Sequence, residues 1–348
     1  MDALQKIRVL IVDDSLFFRK TLERGLQSDP RIQVVGMAGD ALEAMDKIQE
    51  LSPDVVTLDV EMPKLNGIEF LRRLMPTRPV PVIVVSGMPI RVLDALEAGA
   101  VDFVRKPSIR SSQDLQAFLA DLTGKIKIAA VAKVRRSPAA HPAAPRPPAM
   151  GLLPRTEAAQ LIAIGASTGG TDAILEVVKD LPPTTPGILV VQHMPPVFTK
   201  MYAERLDRVC QMEVSEAVDR ARIGPGKIIV AAGDFHLRVA KDVNGYYIRS
   251  QTGPKVSGHC PSVDVLFDSV AQVVGGSAIG VLLTGMGADG ARGLLNLRRT
   301  GAHTLGQDKD SCVVYGMPQV AYNLGAVVRQ LPLDAMAGEI VRYLNSKP

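Results

Sequence analysis

Between Ala129 and Arg155 the chain carries six prolines and eight alanines, and no regular element can run through that stretch. Proline lacks the N–H that a helix or sheet ladder needs, and it restricts the residue before it as well. At this density the segment reads as an extended tether, partly polyproline II in character. The chain therefore divides into folding units over residues 1–128 and 157–348, with a linker over 129–156. With 348 residues in all, each unit has enough chain for a hydrophobic core of its own.

The tether also accounts for the charge. The formal balance is +4, but Leu122–Thr156 holds seven Lys or Arg and no acid, which leaves −3 for the rest. The positive charge sits on a solvated spacer, so no nucleic-acid partner is expected. Cys210, Cys260 and Cys312 are scattered without any CxxC spacing, which points to a reducing compartment and away from a zinc site. The start, MDALQKIRVLIVDDS, has acids on both sides of a short apolar run and does not read as a signal peptide. Ser269–Ala288 is uncharged over twenty residues, long enough to cross a bilayer, but Gly275-Gly276 interrupts it. A helix end, a turn and a strand are expected there. The expected setting is the cytoplasm, with no direct membrane insertion.

In residues 1–128 apolar runs alternate with helical patterns. Strands are expected at Arg8–Val12, Gln33–Gly36, Asp54–Leu58, Pro81–Val85 and Phe103–Arg105, with a closing helix over Leu115–Ile126. Such a βα repeat builds a flavodoxin-like, five-stranded parallel sheet with helices on both faces, and ligands gather at its strand C-termini. Those ends carry Asp13-Asp14, Asp59, Ser86 and Lys106-Pro107. A single acid at a strand end is commonly just solvated. Three together repel one another and call for a divalent cation with oxygen ligands, Mg²⁺ above all. With Mg²⁺ and Lys106 neutralising phosphoryl oxygens, Asp59 is equipped to act as the nucleophile that accepts a phosphoryl group.

Asp13-Asp14-Ser15, Asp59, Glu61-Met62-Pro63 through Asn66-Gly67, Ser86-Gly87 and Lys106-Pro107 together resemble the response-regulator receiver domain. The resemblance implies phosphorylation of Asp59 by a histidine kinase. It implies Mg²⁺ on Asp13, Asp14, Asp59 and the backbone carbonyl of Glu61. Ser86 would sense the phosphoryl group and Lys106 would pair with it.

The second unit is long and rich in glycine and strand patterns, unlike the short, basic, helical DNA-binding modules that often follow a receiver. Leu161–Ile164 runs straight into Gly165-Ala166-Ser167-Thr168-Gly169-Gly170, and a helical pattern over Asp172–Lys179 follows. A serine at such a strand-to-helix turn is lifted above the strand ends, toward helix N–H groups. It is equally suited to capping that helix. Ile188–Val191 ends in Gln192-His193-Met194, and Ile279–Leu283 runs into a loop, Gly285-Met286-Gly287-Ala288-Asp289-Gly290. Further strands are expected at Lys227–Ala231 and Thr304–Gly306, with a hairpin around Asn244-Gly245. The expected architecture is a doubly wound, mostly parallel α/β domain with a β-hairpin.

Ser167, His193 and the loop of Asp289 thus stand at strand C-ends, where one crevice can gather them. A serine needs a base to become a nucleophile, and an imidazole needs a carboxylate to fix its tautomer. Glycines around Met286 let backbone N–H groups approach an oxyanion. Other assignments stay open at this level. Gly165–Gly169 satisfies G-x-S-x-G, whose chain order would pair Asp289 with His303. His236 and His259 compete with His193. A phosphate loop lacks its lysine.

Gly165–Gly170, Gln192-His193-Met194, Ser262-Val263-Asp264 and Leu283–Gly290 resemble the chemotaxis protein-glutamate methylesterase family, CheB. With the receiver in front, the resemblance spans nearly the whole chain except the linker. It implies a triad of Ser167, His193 and Asp289, with oxyanion donors at Met286 and Thr168. It implies hydrolysis of γ-methyl-glutamate esters on methyl-accepting chemoreceptors, with release of methanol, and deamidation of receptor glutamines. It also implies that the unphosphorylated receiver covers the site. No cofactor is expected for the ester chemistry.

Overall fold

The computed structural model describes residues 5–62, 65–107, 112–134 and 160–346. The chain forms two compact units, Met1–Ala144 and Pro145–Pro348. Most of the tether expected over 129–156 lies outside the described residues.

The first unit runs β1 (Ile7–Val12), α1 (Leu16–Gln27), β2 (Ile32–Ala38), α2 (Ala41–Leu51), β3 (Val55–Leu58), α3 (Gly67–Thr77), β4 (Val82–Ser86), α4 (Pro89–Glu97), β5 (Asp102–Arg105) and α5 (Ser112–Ala129). All strand pairs are parallel, in the order β2-β1-β3-β4-β5. β3 and β4 are buried along their whole length, as strands covered on both faces must be. Short polar side chains set the helix starts. Asp40 accepts from the amides of Leu42 and Glu43, and Asn66 from those of Ile68 and Glu69. The strand order reverses between β1 and β3, which opens a crevice at their C-terminal ends.

The second unit continues with β6 (Leu161–Ala166), α6 (Gly170–Val178), β7 (Ile188–Gln192), α7 (Phe198–Asp207), β8 (Glu213–Glu216), β9 (Lys227–Val230), β10 (His236–Asp242), β11 (Gly245–Gln251), α8 (Val263–Val273), β12 (Ala278–Leu282), α9 (Ala291–Arg299), β13 (His303–Gln307), α10 (Met317–Asn323), β14 (Arg329–Leu331) and α11 (Met336–Ser346). Seven strands form one sheet in the order β14-β13-β12-β6-β7-β9-β8. Every pair in it is parallel. β10 and β11 form a separate antiparallel hairpin closed at Asp242 and Gly245. The core is the Ile, Val and Leu of β6, β7 and β12, each such side chain worth about 1.5–3 kcal/mol when buried.

Here the order reverses between β6 and β12, so the C-terminal ends of these two strands face the crevice. Ser269–Ala288 resolves into the end of α8, a 3-10 turn at Gly275–Ser277 and β12. Among the described residues no helix is long and apolar enough to cross a membrane.

Candidate active site

Register delivers the serine and the histidine together. Ala166 pairs with Gln192 across β6 and β7, so Ser167 and His193 are the next residues of adjacent strands. The His193 amide donates to Ala166 O at 3.3 Å. From the other side of the reversal, the Ser167 amide donates to Thr284 O at 3.0 Å, which ties the turn to the loop after β12. The Thr284 hydroxyl donates to Thr168 O at 3.0 Å, and Gln192 Nε2 donates to Ser167 O at 2.8 Å. Gly285 has to be glycine for this approach, because a Cβ there would stand 2.4 Å from Met317 Sδ and 2.8 Å from Ser167 Cβ. The capping role open to Ser167 goes elsewhere: Gly169, at φ 75°, occupies the N-cap of α6.

His193 Nε2 lies 2.8 Å from Asp289 Oδ2, with only 7% and 1% of the two side chains exposed. A carboxylate there accepts, so Nε2 carries a proton, and in the neutral tautomer Nδ1 keeps a lone pair. Nδ1 is buried and has no hydrogen-bond partner among the described residues. In the neutral ring that nitrogen is an unused hydrogen-bond acceptor. Asp289 is held at the N-terminus of α8: Oδ2 accepts from the Val263 amide at 2.7 Å. Oδ1 accepts from Ser262 Oγ at 2.8 Å and from the Asp264 amide at 3.1 Å. Burial pulls its carboxyl up, but the His193 bond and charge, with the Val263 and Ser262 donors, outweigh it and hold Asp289 below its ordinary value. The helix terminus works in the same direction.

Of the expected oxyanion donors, Met286 is half exposed on the loop after Gly285. That loop is pinned by the amides of Gly316 and Met317, which donate to Gly285 O at 3.1 and 2.7 Å. Thr168 is buried directly after the serine. The competing histidines separate cleanly. His236 Nε2 bonds Pro254 O at 2.9 Å, and His303 bonds Glu339 at 3.0 Å at the start of β13, so the pairing of Asp289 with His303 does not form. His259 stacks on the ring of His193. Sequence reasoning assigned no role to Ser262, Thr284 or Gln192, whose contacts exist only once distant strands meet.

The first unit gathers its residues at the β1–β3 crevice. Lys106 Nζ stands 2.5 Å from Asp59 Oδ2 and 2.7 Å from Asp13 Oδ2. Acid oxygens of Asp13, Asp14 and Asp59 all lie within 4.8 Å of one another. Asp13 and Asp59 are buried and Asp14 is exposed. Burial pushes the Asp13 carboxyl above its ordinary value, with Lys106 opposing and the Asp59 charge adding. Burial pulls Lys106 down, but its hydrogen bonds to Asp13 and Asp59 win and raise it. The Glu61 amide donates to Asp59 Oδ1 at 3.0 Å, and the buried Ser86 Oγ accepts from the Met88 amide at 3.0 Å. The donor set is all oxygen, with three carboxylates against one ammonium, which suits a hard divalent cation.

A family described as CheB methylesterase matches residues 162–340, and one described as response regulator receiver domain matches residues 9–119. A Syntrophomonas wolfei protein named protein-glutamate methylesterase/protein-glutamine glutaminase 2 is 51% identical, over 98% of this chain and 99% of its own length. A Pseudomonas aeruginosa protein of the same name is 46% identical, over 97% of this chain and 96% of its own. The crystal structure of the Thermotoga maritima CheB methylesterase catalytic domain is similar at a TM-score of 0.52 and 34% identity, covering 53% of this chain and 98% of that one. With relatives this similar along their full length, the chain belongs to the CheB methylesterase family and carries a response-regulator receiver domain at its front.

Proposed function

We propose that this protein hydrolyses γ-methyl-glutamate esters on chemoreceptor helices, and deamidates receptor glutamines, under control of phosphorylation at its receiver. The observation that carries the reading is the buried His193–Asp289 pair, whose Nδ1 has no hydrogen-bond partner among the described residues, just past the strand end paired with that of Ser167. Ser167 Oγ attacks the ester carbonyl as His193 Nδ1 takes its proton, and Asp289 stabilises the imidazolium. Backbone N–H groups at Thr168 and Met286 receive the oxyanion. Methanol leaves with the proton from His193. Water, activated by the same nitrogen, then frees the glutamate and restores the serine. With a glutamine substrate, ammonia takes the place of methanol.

At the receiver, a histidine kinase would donate a phosphoryl group to an oxygen of Asp59. Asp13, Asp14, Asp59 and the Glu61 carbonyl would hold Mg²⁺, which when bound neutralises phosphoryl charge. Lys106 pairs with the phosphoryl oxygens, and the Ser86 hydroxyl turns its proton from the Met88 carbonyl to one of them. Cys210, Cys260 and Cys312 form no disulfide, which suits the reducing cytoplasm where the receptor helices lie.

The test is methanol release from methylated chemoreceptor membranes by the full chain, with and without a small phosphodonor. Ser167→Ala should lose at least about 10³-fold in rate and still take phosphate at Asp59. Asp59→Asn should lose the phosphodonor-dependent increase. Methanol release at the wild-type rate by Ser167→Ala would overturn the nucleophile assignment.

A further inference from the structure

His259 lies outside the triad yet covers one of its members. Its ring stacks on that of His193 at a centroid distance of 3.7 Å and an interplanar angle of 7°. A tight turn delivers it there. The amides of His259 and Val256 donate to each other's carbonyls at 2.9 and 3.0 Å. The two residues between them, Ser257 and Gly258, have φ of 52° and 85°, the two positive values that a type I′ turn requires. The same loop is anchored at Asp264 through Ser257 Oγ at 3.3 Å, and it continues to Ser262, which holds Asp289. One loop thus touches both the acid and the base.

A hydrogen bond from Nε2 to Asp289 fixes one atom of the imidazole. The ring can still turn about that line, and a turn redirects Nδ1. A second planar ring lying flat on its face removes that freedom and keeps water off it. We infer that His259 is a positioning residue, which sets the plane of the His193 ring and with it the direction in which Nδ1 points. The inference rests on the triad proposed above. Its requirement is a flat surface, not a titrating group, so another planar ring of similar size serves.

The test compares kcat and KM for methanol release from methylated receptor membranes by the full chain. His259→Ala and His259→Asn should lower kcat about tenfold, the scale of a base displaced by less than an ångström, with KM within about twofold. His259→Phe should restore kcat to within about twofold of wild type. Unchanged kcat in His259→Ala, or His259→Phe as slow as His259→Asn, would overturn the positioning role. A dead Ser167→Ala beside a fully active His259→Ala removes the positioning role alone. An active Ser167→Ala removes the triad and, with it, this inference.

Discussion

The esterase unit contains two buried histidine–carboxylate pairs of nearly the same geometry. His193 meets Asp289 at 2.8 Å, and His303 meets Glu339 at 3.0 Å. Each imidazole lies flat against a second ring, His259 at 3.7 Å and Tyr343 at 4.1 Å. Place and counter-charge separate them. His193 follows the C-terminal end of β7, whereas His303 opens β13 at the opposite end of the parallel sheet. Asp289 is held by neutral donors, the Val263 and Asp264 amides and the Ser262 hydroxyl. Glu339 is held by Arg329 at 2.7 Å and Arg342 at 2.6 Å. A carboxylate matched by two guanidiniums has little charge left to stabilise an imidazolium. One held by N–H dipoles keeps its charge for the histidine. Burial above all, with Arg342 and Arg329 adding, keeps His303 below its ordinary value despite Glu339, so that ring stays neutral. A close imidazole–carboxylate contact does not by itself make a base.

The strongest way to break this contrast is to remove the charge from Asp289. Asp289→Asn keeps the shape but cannot stabilise the imidazolium, and its amide disturbs the tautomer. The loss in kcat should be about 10³–10⁴-fold, read by methanol release. A loss under about tenfold would mean that the carboxylate is only structural, as at Glu339. Ser262→Ala sharpens the point about neutral donors. It removes one bond to Oδ1 and the side-chain cap of α8, which accepts from the Val265 amide. The expected fall in kcat is about five- to tenfold, smaller because the Val263 and Asp264 amides remain. An effect as large as that of Asp289→Asn would make the hydroxyl, and not the helix terminus, the main support of the acid.

What could be read from the sequence follows from where burial leaves a mark. Central strands such as Ile188–Gln192 and Ala278–Leu282 are buried on both faces, so they stand out as apolar runs that end at His193 and before Met286. The edge strands Glu213–Glu216 and Arg329–Leu331 are short and partly exposed, and their polar residues hide them. The hairpin is visible at Asn244-Gly245, and its strands run from His236 to Gln251. Ser167, His193 and Asp289 were legible as polar residues at strand ends, and the family resemblance favoured His193 over His303. His303 and His193 each sit beside an apolar run. His193 follows its strand and His303 precedes its own, which the sequence pattern shows, whereas the partners on the facing elements, Asp289 and Glu339, are seen only in the fold. Ser262 was visible as part of a motif, but its bond to Asp289 joins residues 27 apart and needs α8 to be in place.

The smallest expected effect comes from the arginine-bound pair. Glu339 is held down to about 2, burial pulling it up while Arg342, His303 and Arg329 more than compensate. A carboxyl whose folded value lies below its ordinary 4.5 contributes stability in full above that pH. The contribution fades as the pH falls from there toward 2. Glu339→Gln should therefore cost about 1–2 kcal/mol at pH 7, a few degrees of melting temperature, since Arg329, Arg342 and His303 all lose a charged acceptor. Below pH 4.5 the gap between variant and wild type should narrow, because the wild type is losing the same charge. Methanol release should stay within about twofold, since Glu339 sits at the end of the sheet away from Ser167. A gap that persists unchanged down to pH 3, or a loss of activity approaching that of Asp289→Asn, would erase the distinction between the pairs. The first result would mean that Glu339 holds α11 by shape and not by charge. The second would mean that the two ends of the sheet are coupled and that the arginines do not confine Glu339 to a structural role.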